Sequence, residues 1–397
     1  MGSESTVTAS GTFLGVDWRR VPLGDAIELK RGYDLPQSQR EFGNVPVVSS
    51  AGVSGLHSRS MAKAPGVVTG RYGTIGQVFF LTEDFWPLNT TLYVRDFKGN
   101  HPRFVHYLLQ TVDFEACSDK AAVPGVNRNH LHELPVFLPG LQTQFRIAAI
   151  LGALDDRIEM TRRMNGTLES MARAIFKSWF IDFDLHKSLP NPSDWRTVPL
   201  SGVSSVNRGI GPSYVEERGV AVVNQKCVRD GRLDLSKSRR HDPSQRSITG
   251  RELRVGDVLV NSTGVGTLGR VAQVERLEET TIVDSHVTVV RPHSTAIEAR
   301  YLGDLLLRSE PEIETLGEGS TGQTELSRAR LGAFPILVPP RALQQAYGRI
   351  VEPLRQKITR QEMQSSTLAA LRDTLLPKLL SGEISVREAE STVGKAL

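Results

Sequence analysis

The chain repeats itself. The segment Leu134-Pro135-Val136-Phe137-Leu138-Pro139 is matched 200 positions later by Phe334-Pro335-Ile336-Leu337-Val338-Pro339. The same offset pairs Leu131 with Leu331, Gln144 with Gln344, Ile150 with Ile350, Leu154 with Leu354, Ile158 with Ile358 and Leu168 with Leu368. Earlier in the chain the register drifts. Residues 18–23 (WRRVPL) parallel 195–200 (WRTVPL) at an offset of 177, and residues 73–78 (GTIGQV) parallel 266–271 (GTLGRV) at 193. Insertions that shift register belong in surface loops. Each copy therefore has a variable front part and a back part locked in register. Such a chain is expected to fold as two related units.

The back parts read as long helices. Positions spaced alternately by four and three give Ile147, Leu151, Leu154, Ile158, Thr161, Asn165, Leu168, Ala172, Ile175 and Trp179 in the first copy. The second copy gives Tyr347, Val351, Leu354, Ile358, Gln361, Ser365, Leu368, Arg372, Leu375 and Leu379. These are heptad seams, and both turn polar at the same place. Paired polar layers are expected where two helices pack on each other and fix their register. The plainer alternative is two amphipathic helices, each covering a separate core. From Ile147 to Trp179 such a helix spans about 50 Å, the scale of a spacer. Pro353 is expected to mark a kink or a late start of the second helix, and Pro377 to bend its last turn.

The front parts read as mixed structure with short strands. Val67-Val68-Thr69, Val78-Phe79-Phe80-Leu81 and Thr91-Leu92-Tyr93-Val94 are β-rich runs bounded by turn residues. Their counterparts are 258–260, 270–274 and 287–290, and short helices are expected at 102–111 and 297–309. The first fifteen residues lack the basic start and apolar stretch of a signal peptide. A proline-bearing linker at 184–194 joins the copies.

Most chemical motifs fail on inspection. Gly264-Val265-Gly266-Thr267-Leu268-Gly269 fits GxGxxG, but a strand-like run follows where a dinucleotide site needs a helix. This stretch, like 70–76, reads as a glycine-permitted turn with close backbone approach to DNA or to a neighbouring element. His130-x-His132 has no ligand partners nearby. The two cysteines, Cys117 and Cys227, stand far apart and outside any CxxC, so neither a zinc site nor a disulfide scaffold is expected. Glu28-Leu29-Lys30 has the ExK shape of many nucleases without an acidic partner at convincing spacing. Nothing positive points to catalysis. At 39% apolar residues and 35 glycines the chain can form ordinary cores, and no apolar run reaches the ~20 residues of a membrane span. A cytoplasmic location is the default expectation.

The net charge of +4 mildly favours a polyanionic partner. Two equivalent stretches are the best candidates for a DNA surface. One is Val126-Asn127-Arg128-Asn129-His130-Leu131 and the other Leu326-Ser327-Arg328-Ala329-Arg330-Leu331. Arg128 and Arg328 stand at the offset of 200, and arginine forks read guanine edges or clamp phosphate. Exposed arginines at a helix start are the competing explanation. Lys63, Arg71, Tyr72, Gln225, Lys226, Asn261, Ser262 and Thr263 are weaker candidates.

Two front domains alternating with two long helices resemble the specificity subunit of type I restriction–modification enzymes. The resemblance covers about 17–383. Its most specific signals are Leu138-Pro139-Gly140-Leu141-Gln142-Thr143-Gln144 and Val338-Pro339-Pro340-Arg341-Ala342-Leu343-Gln344, followed by the helix ends at 174–184 and 375–384. Gly322-Gln323-Thr324-Glu325-Leu326-Ser327 also fits the family's pattern and adds Gln323 and Ser327 to the DNA-facing candidates, whereas the first copy departs there with Pro124-Gly125-Val126-Asn127. The resemblance implies an α+β fold: two mixed α/β target-recognition domains related by internal duplication (17–140 and 194–340). They are separated by a central spacer helix (141–185) and a C-terminal one (341–383), packed as an antiparallel coiled coil. It implies a non-catalytic subunit in which each domain reads one half of a gapped double-stranded DNA target. The helix pair sets the gap and docks two copies of a DNA methyltransferase subunit. The seam residues would be Ile147, Leu151, Leu154, Ile158, Leu168, Ile175, Trp179, Leu354, Ile358, Leu368, Leu375 and Leu379. S-adenosylmethionine would sit on the partner, with no cofactor or metal on this chain. Restriction or translocase subunits are a further partner that the sequence leaves open. Two other classes remain: a stand-alone DNA enzyme, and a coiled-coil adaptor with no nucleic-acid role.

Overall fold

The computed structural model describes residues 17–119, 125–183, 194–319 and 324–397. Residues 1–15 and nearly all of the 184–194 linker lie outside them. The chain divides into two compact units: the described part of Met1–Thr161 together with Gln364–Leu397, and Arg162–Met363. The division cuts both long helices near their middles.

In the first unit the two repeat marks that flank the front part pair with each other. Strand Arg19–Pro22 runs antiparallel to Pro135–Leu138, with Val21 opposite Val136 and Pro22 opposite Pro135. This clasp returns the chain to the start of the long helix. The second unit closes the same way, with Arg196–Pro199 against Pro335–Val338 and Pro199 opposite Pro335. Inside each clasp sits a four-stranded antiparallel sheet. Its order in the first unit is Glu28–Arg31, Thr91–Asp96, Gly66–Gly70, Val78–Leu81. In the second it is Ser204–Arg208, Val287–Pro292, Val258–Asn261, Val271–Gln273. A further small sheet in each unit contains one parallel pair, Val45–Ser49 with Trp86–Pro87 and Val220–Val223 with Thr281–Val283. The short helices span Pro102–Gln110 and Ala299–Arg308.

The long helices run Leu141–Phe180 and Arg341–Leu380, forty residues each. The second helix begins twelve residues before Pro353 and passes through Pro377. A late start at Pro353 is thus excluded. A proline removes one N–H from the ladder, and the forty-residue helix tolerates two such losses.

The family-type glutamine has a structural reason. Gln144 is fully buried. Its Nε2 donates to Pro139 O at 3.0 Å and to Asn100 Oδ1 at 2.8 Å, and its Oε1 accepts from His101 N at 2.9 Å. Gln344 repeats this: Nε2 donates to Pro339 O at 2.7 Å and Oε1 accepts from Glu298 N at 2.9 Å. One buried amide thus joins the first turn of the long helix to the start of the short helix. An apolar replacement would leave that backbone N–H buried and unpaired.

The long helices are not bare spacers. In the first unit Ile147, Leu151, Leu154 and Ile158 enter the core beside Phe104, Val105 and Leu108, together with Leu368, Leu375 and Leu379 of the other helix. Asp155 accepts from Tyr107 Oη at 2.5 Å and pairs with Arg372 at 2.7 Å. In the second unit Ala172, Phe176 and Phe180 share a core with Tyr301, Tyr347 and Val351, and Ile175, Trp179 and Leu354 pack against it. There Gln361 Nε2 donates to Met164 Sδ at 2.9 Å, while Tyr347 meets Phe176 and Trp179 at ring distances of 5.7 and 6.1 Å. Rising numbers on one helix meet falling numbers on the other, so these segments are antiparallel. Ile358 is buried and Leu168 half-buried. Of the polar seam positions, Thr161 and Asn165 are buried and Gln361 and Ser365 half-buried. The repeat pair Ile150 and Ile350 diverges: Ile150 is buried and Ile350 is 46% exposed.

The sequence reading ended the second helix region at 383. A further helix follows at Val386–Ala396, opened by a capping box between Ser385 and Glu388. Its Ala389 and Val393 enter the first core, and Glu390 pairs with Arg146 at 2.8 Å.

Candidate nucleic-acid interface

At the end of strand Gly66–Gly70 the first unit forms an open cleft of about 460 Å³. It is lined by Arg31, Arg71, Tyr72, Asn127, Arg128 and Asn129, among others. The wall is assembled by main chain. Tyr72 bridges to Gly125, and Val126 N donates to Arg71 O at 2.9 Å. Gly125 carries no side chain because a Cβ there would lie 2.4 Å from the Tyr72 ring. The Arg71 guanidinium sits 4.6 Å from the centre of the Tyr72 ring, a cation–π contact that holds the cation while leaving its N–H groups free. Asn127 caps the helix Arg128–Glu133 by accepting from Asn129 N at 3.0 Å. Among the described residues no carboxylate forms an ion pair with Arg71 or Arg128, and Arg31 meets only exposed Asp34, at 3.6 Å.

The second unit builds the same place from equivalent backbone. Thr263 bridges to Glu325 and Leu326 N donates to Ser262 O at 2.8 Å. Ser327 caps the helix Arg328–Ala333, accepting from Arg330 N at 3.2 Å. Arg208 ends its strand as Arg31 does, at the offset of 177. It donates to Glu325 Oε1 at 2.6 Å and Leu326 O at 2.9 Å. Burial pulls the Arg208 guanidinium below its ordinary range; Glu325 opposes that shift and neighbouring Arg328 adds to it. Arg328 is exposed and, among the described residues, forms no ion pair.

The sequence candidates separate here. Arg71, Tyr72, Asn127, Arg128 and Asn129 come together, as do Thr263, Ser327 and Arg328. Gln225 lies against Thr263, and Lys226 is exposed on the adjoining turn. Three candidates do not stand on this surface. Asn261 and Ser262 are fully buried: Asn261 Nδ2 donates to Gln225 O at 3.0 Å, and Ser262 bonds Thr288 Oγ1 at 2.6 Å. Both are framework, because a strand's last residues carry its ladder into the turn. Lys63 pairs with Asp84 at 2.6 Å and does not line the cleft. Gln323 lies outside the described residues. Sequence reading missed Arg31 and Arg208, which stand at these corners, and His286, whose Nδ1 lies 2.8 Å from Thr263 Oγ1. Carrying the 177 offset forward from Trp18 and Trp195 would have set Arg31 opposite Arg208.

The discarded motifs find structural roles. The GxGxxG stretch is a turn between two strands, with Gly269 N donating to Asn261 O at 2.9 Å and φ values of +100°, +69° and +84° at its glycines. The close approach at Gly269 is to the backbone of Glu314, 2.8 Å from a hypothetical Cβ. His132 Nε2 accepts from Leu29 N at 3.0 Å. Among the described residues no cluster of His, Cys, Asp or Glu could hold a metal, and no helix is long and apolar enough to cross a membrane.

Each unit thus carries at its corner an exposed arginine, Arg128 or Arg328, that no carboxylate pairs among the described residues, an arrangement suited to contact with a polyanion such as DNA. Comparison with known proteins narrows the reading. Residues 15–170 match the type I restriction modification DNA specificity domain. The type I restriction enzyme MjaIX specificity subunit of Methanocaldococcus jannaschii is 26% identical over 342 residues, 76% of this chain and 74% of that protein. The HindI specificity subunit of Haemophilus influenzae is 37% identical over 89 residues, 21% of this chain and 19% of that one. The crystal structure of a type I restriction–modification S subunit from M. genitalium shares the fold, with a TM-score of 0.66 at 18% identity over 92% of this chain and 96% of that one. Over residues 15–170 the chain thus matches the specificity domain, and along most of its length it is similar to specificity subunits of type I restriction enzymes.

Proposed function

We propose that each unit reads one half of a gapped, bipartite double-stranded DNA target, and that the two arginine corners are where the DNA sits. One observation carries this reading. The same corner recurs in both units with an arginine at each of two equivalent positions, Arg31 and Arg128 in one, Arg208 and Arg328 in the other. A group kept while its surroundings diverge suits the part of DNA that does not vary, the phosphate backbone. The long helices set the gap between the half-sites and dock two copies of a methyltransferase subunit, a stoichiometry that a duplicated chain suits. S-adenosylmethionine and the transfer chemistry belong to those partners, in the cytoplasm. The internal duplication and the coiled-coil pairing of the helices are part of this reading. It is supported by the matching sheet orders and clasps, and by the antiparallel helix contacts within the second unit.

Removing two exposed phosphate clamps tests it. In R128A/R328A the affinity for DNA in the assembled complex falls, most strongly at low salt. Each lost phosphate contact flattens the plot of log K against log salt by about 0.9, so the double variant loses about 2 from the slope. Binding titrations between roughly 50 and 200 mM salt measure this. An unchanged slope would remove the arginines from the interface.

A further inference from the structure

Comparing the two corners separates what they share from what they do not. The backbone bonds are shared: Arg71 N donates to Thr90 O at 2.8 Å, and Ser262 N donates to His286 O at 2.9 Å. Leu88 N donates to Val48 O in one unit and Asp284 N to Val223 O in the other. These bonds align Ser50 with Gln225, Tyr72 with Thr263 and Thr90 with His286. At all three positions the side chains differ in size and hydrogen-bonding character. Phosphate is the same in both half-sites and base edges are not. The divergent side chains on a common frame therefore belong to base reading.

In the second unit the three form a chain. Thr263 Oγ1 donates to Gln225 Oε1 at 3.2 Å and meets His286 Nδ1 at 2.8 Å. A hydroxyl has one proton to give. On that assignment Nδ1 of His286 is the protonated ring nitrogen and donates to Thr263. In the tautomer with its proton on Nδ1, the ring presents Nε2 as an acceptor. His286 is exposed, and among the described residues nothing bonds Nε2. The ring's backbone is held as well: His286 N donates to the buried Asp284 Oδ1 at 2.9 Å. Thr263, which holds the ring, bridges to Glu325, three residues before Arg328.

We propose that His286, oriented by Thr263 and Gln225, is a specificity-determining residue of the second unit. It accepts a hydrogen bond from an exocyclic amino group in the major groove, adenine N6 or cytosine N4. Those are the donors that base edges offer there. This rests on the proposed DNA-reading function, and the test separates the two.

The experiment is a map of methylated bases in cells carrying the full chain with its methyltransferase partner, for wild type, H286A and T263V. We expect the wild type to give a two-part motif. In H286A one position of one half-site, an A or C on the strand contacted, relaxes to accept other bases. The other half-site stays intact. Loss of a good base contact reduces discrimination at that position by about 5- to 150-fold, the equivalent of about 1–3 kcal/mol. T263V, which removes the orienting hydroxyl, relaxes the same position to a smaller degree. A wild-type motif that H286A and T263V both leave unchanged overturns the role of His286 and leaves the function standing. Absence of any two-part motif in the wild type overturns the function itself. If H286A fails to fold, as judged by its melting profile, T263V decides: relaxation at one position supports the proposal, and an unaltered motif overturns it. Total loss of methylation in a folded H286A also overturns it, because a local reader alters one position only.

Discussion

Exchanging the first unit for that of a relative with another target will replace one half of the methylated motif and leave the other half unchanged. The boundary decides whether the hybrid works. A graft of 17–140 stops short of Ile147, Leu151 and Leu154, which are fully buried among Phe104, Val105 and Leu108. Those three leucine-class side chains would then face a foreign core. Volume changes in a packed core cost about 1–3 kcal/mol each. Several at once remove a large share of a domain's ~5–15 kcal/mol of stability. A graft of 17–158 carries the core with it, needing compatibility with Leu368, Leu375, Leu376, Leu379, Leu380, Ala389 and Val393, the buried core residues that follow it. The 17–158 hybrid is expected to methylate a motif with one new half, and the 17–140 hybrid to melt earlier and methylate less. Motif mapping and a melting curve of each hybrid provide the check. A change in both halves would contradict modular reading.

The second large effect concerns the gap. Seven residues inserted in one long helix alone will abolish methylation. Phe176 meets Tyr347 in the second unit and Asp155 meets Arg372 in the first, and an insertion in one helix between Thr161 and Asn165 breaks one of these contacts to keep the other. Seven residues inserted in both helices, between Thr161 and Asn165 and between Gln361 and Ser365, preserve the facing pairs. Each helix lengthens by about 10 Å, close to three base-pair steps of about 3.4 Å. The expected motif keeps both half-sites and gains about three base pairs of gap. The same motif mapping reads the result, and an unchanged gap would show that the helices do not set it.

The sequence foretold the parts of this fold that depend on repetition and periodicity. The strand runs 78–81 and 258–260 sit within observed strands, and both short helices lie where helical spacing put them. The clasps unite residues 18–23 with 134–139 and 195–200 with 334–339. Each was visible as a repeat mark, and their pairing with each other was not. Periodicity showed that Ile147 and Leu151 face something apolar. It could not say that this was the front-domain core, because a heptad stripe is blind to its partner. The last helix carried a legible sign in Ser385-x-x-Glu388, overlooked because it lies beyond the repeat.

The site was legible in outline and not in detail. Arg128 and Arg328 were marked by their common offset and both stand exposed. Asn261 and Ser262 are equally polar in the string, yet Asn261 ends a central strand and Ser262 follows it, and both are fully buried there. Lys63 finds Asp84 twenty-one positions away, a pairing that no local pattern announces. His286 was invisible for the opposite reason. The role proposed for this lone histidine depends on Thr263 and Gln225, which only the fold brings to its ring.

The central claim is that this chain alone gives a methyltransferase a two-part target. The most direct measurement is a map of modified bases in a host carrying the partner methyltransferase, with and without this gene. The account predicts a motif of two blocks separated by a fixed gap, methylated only when the chain is present. Methylation that persists without the chain, or a motif made of one uninterrupted block, would contradict it.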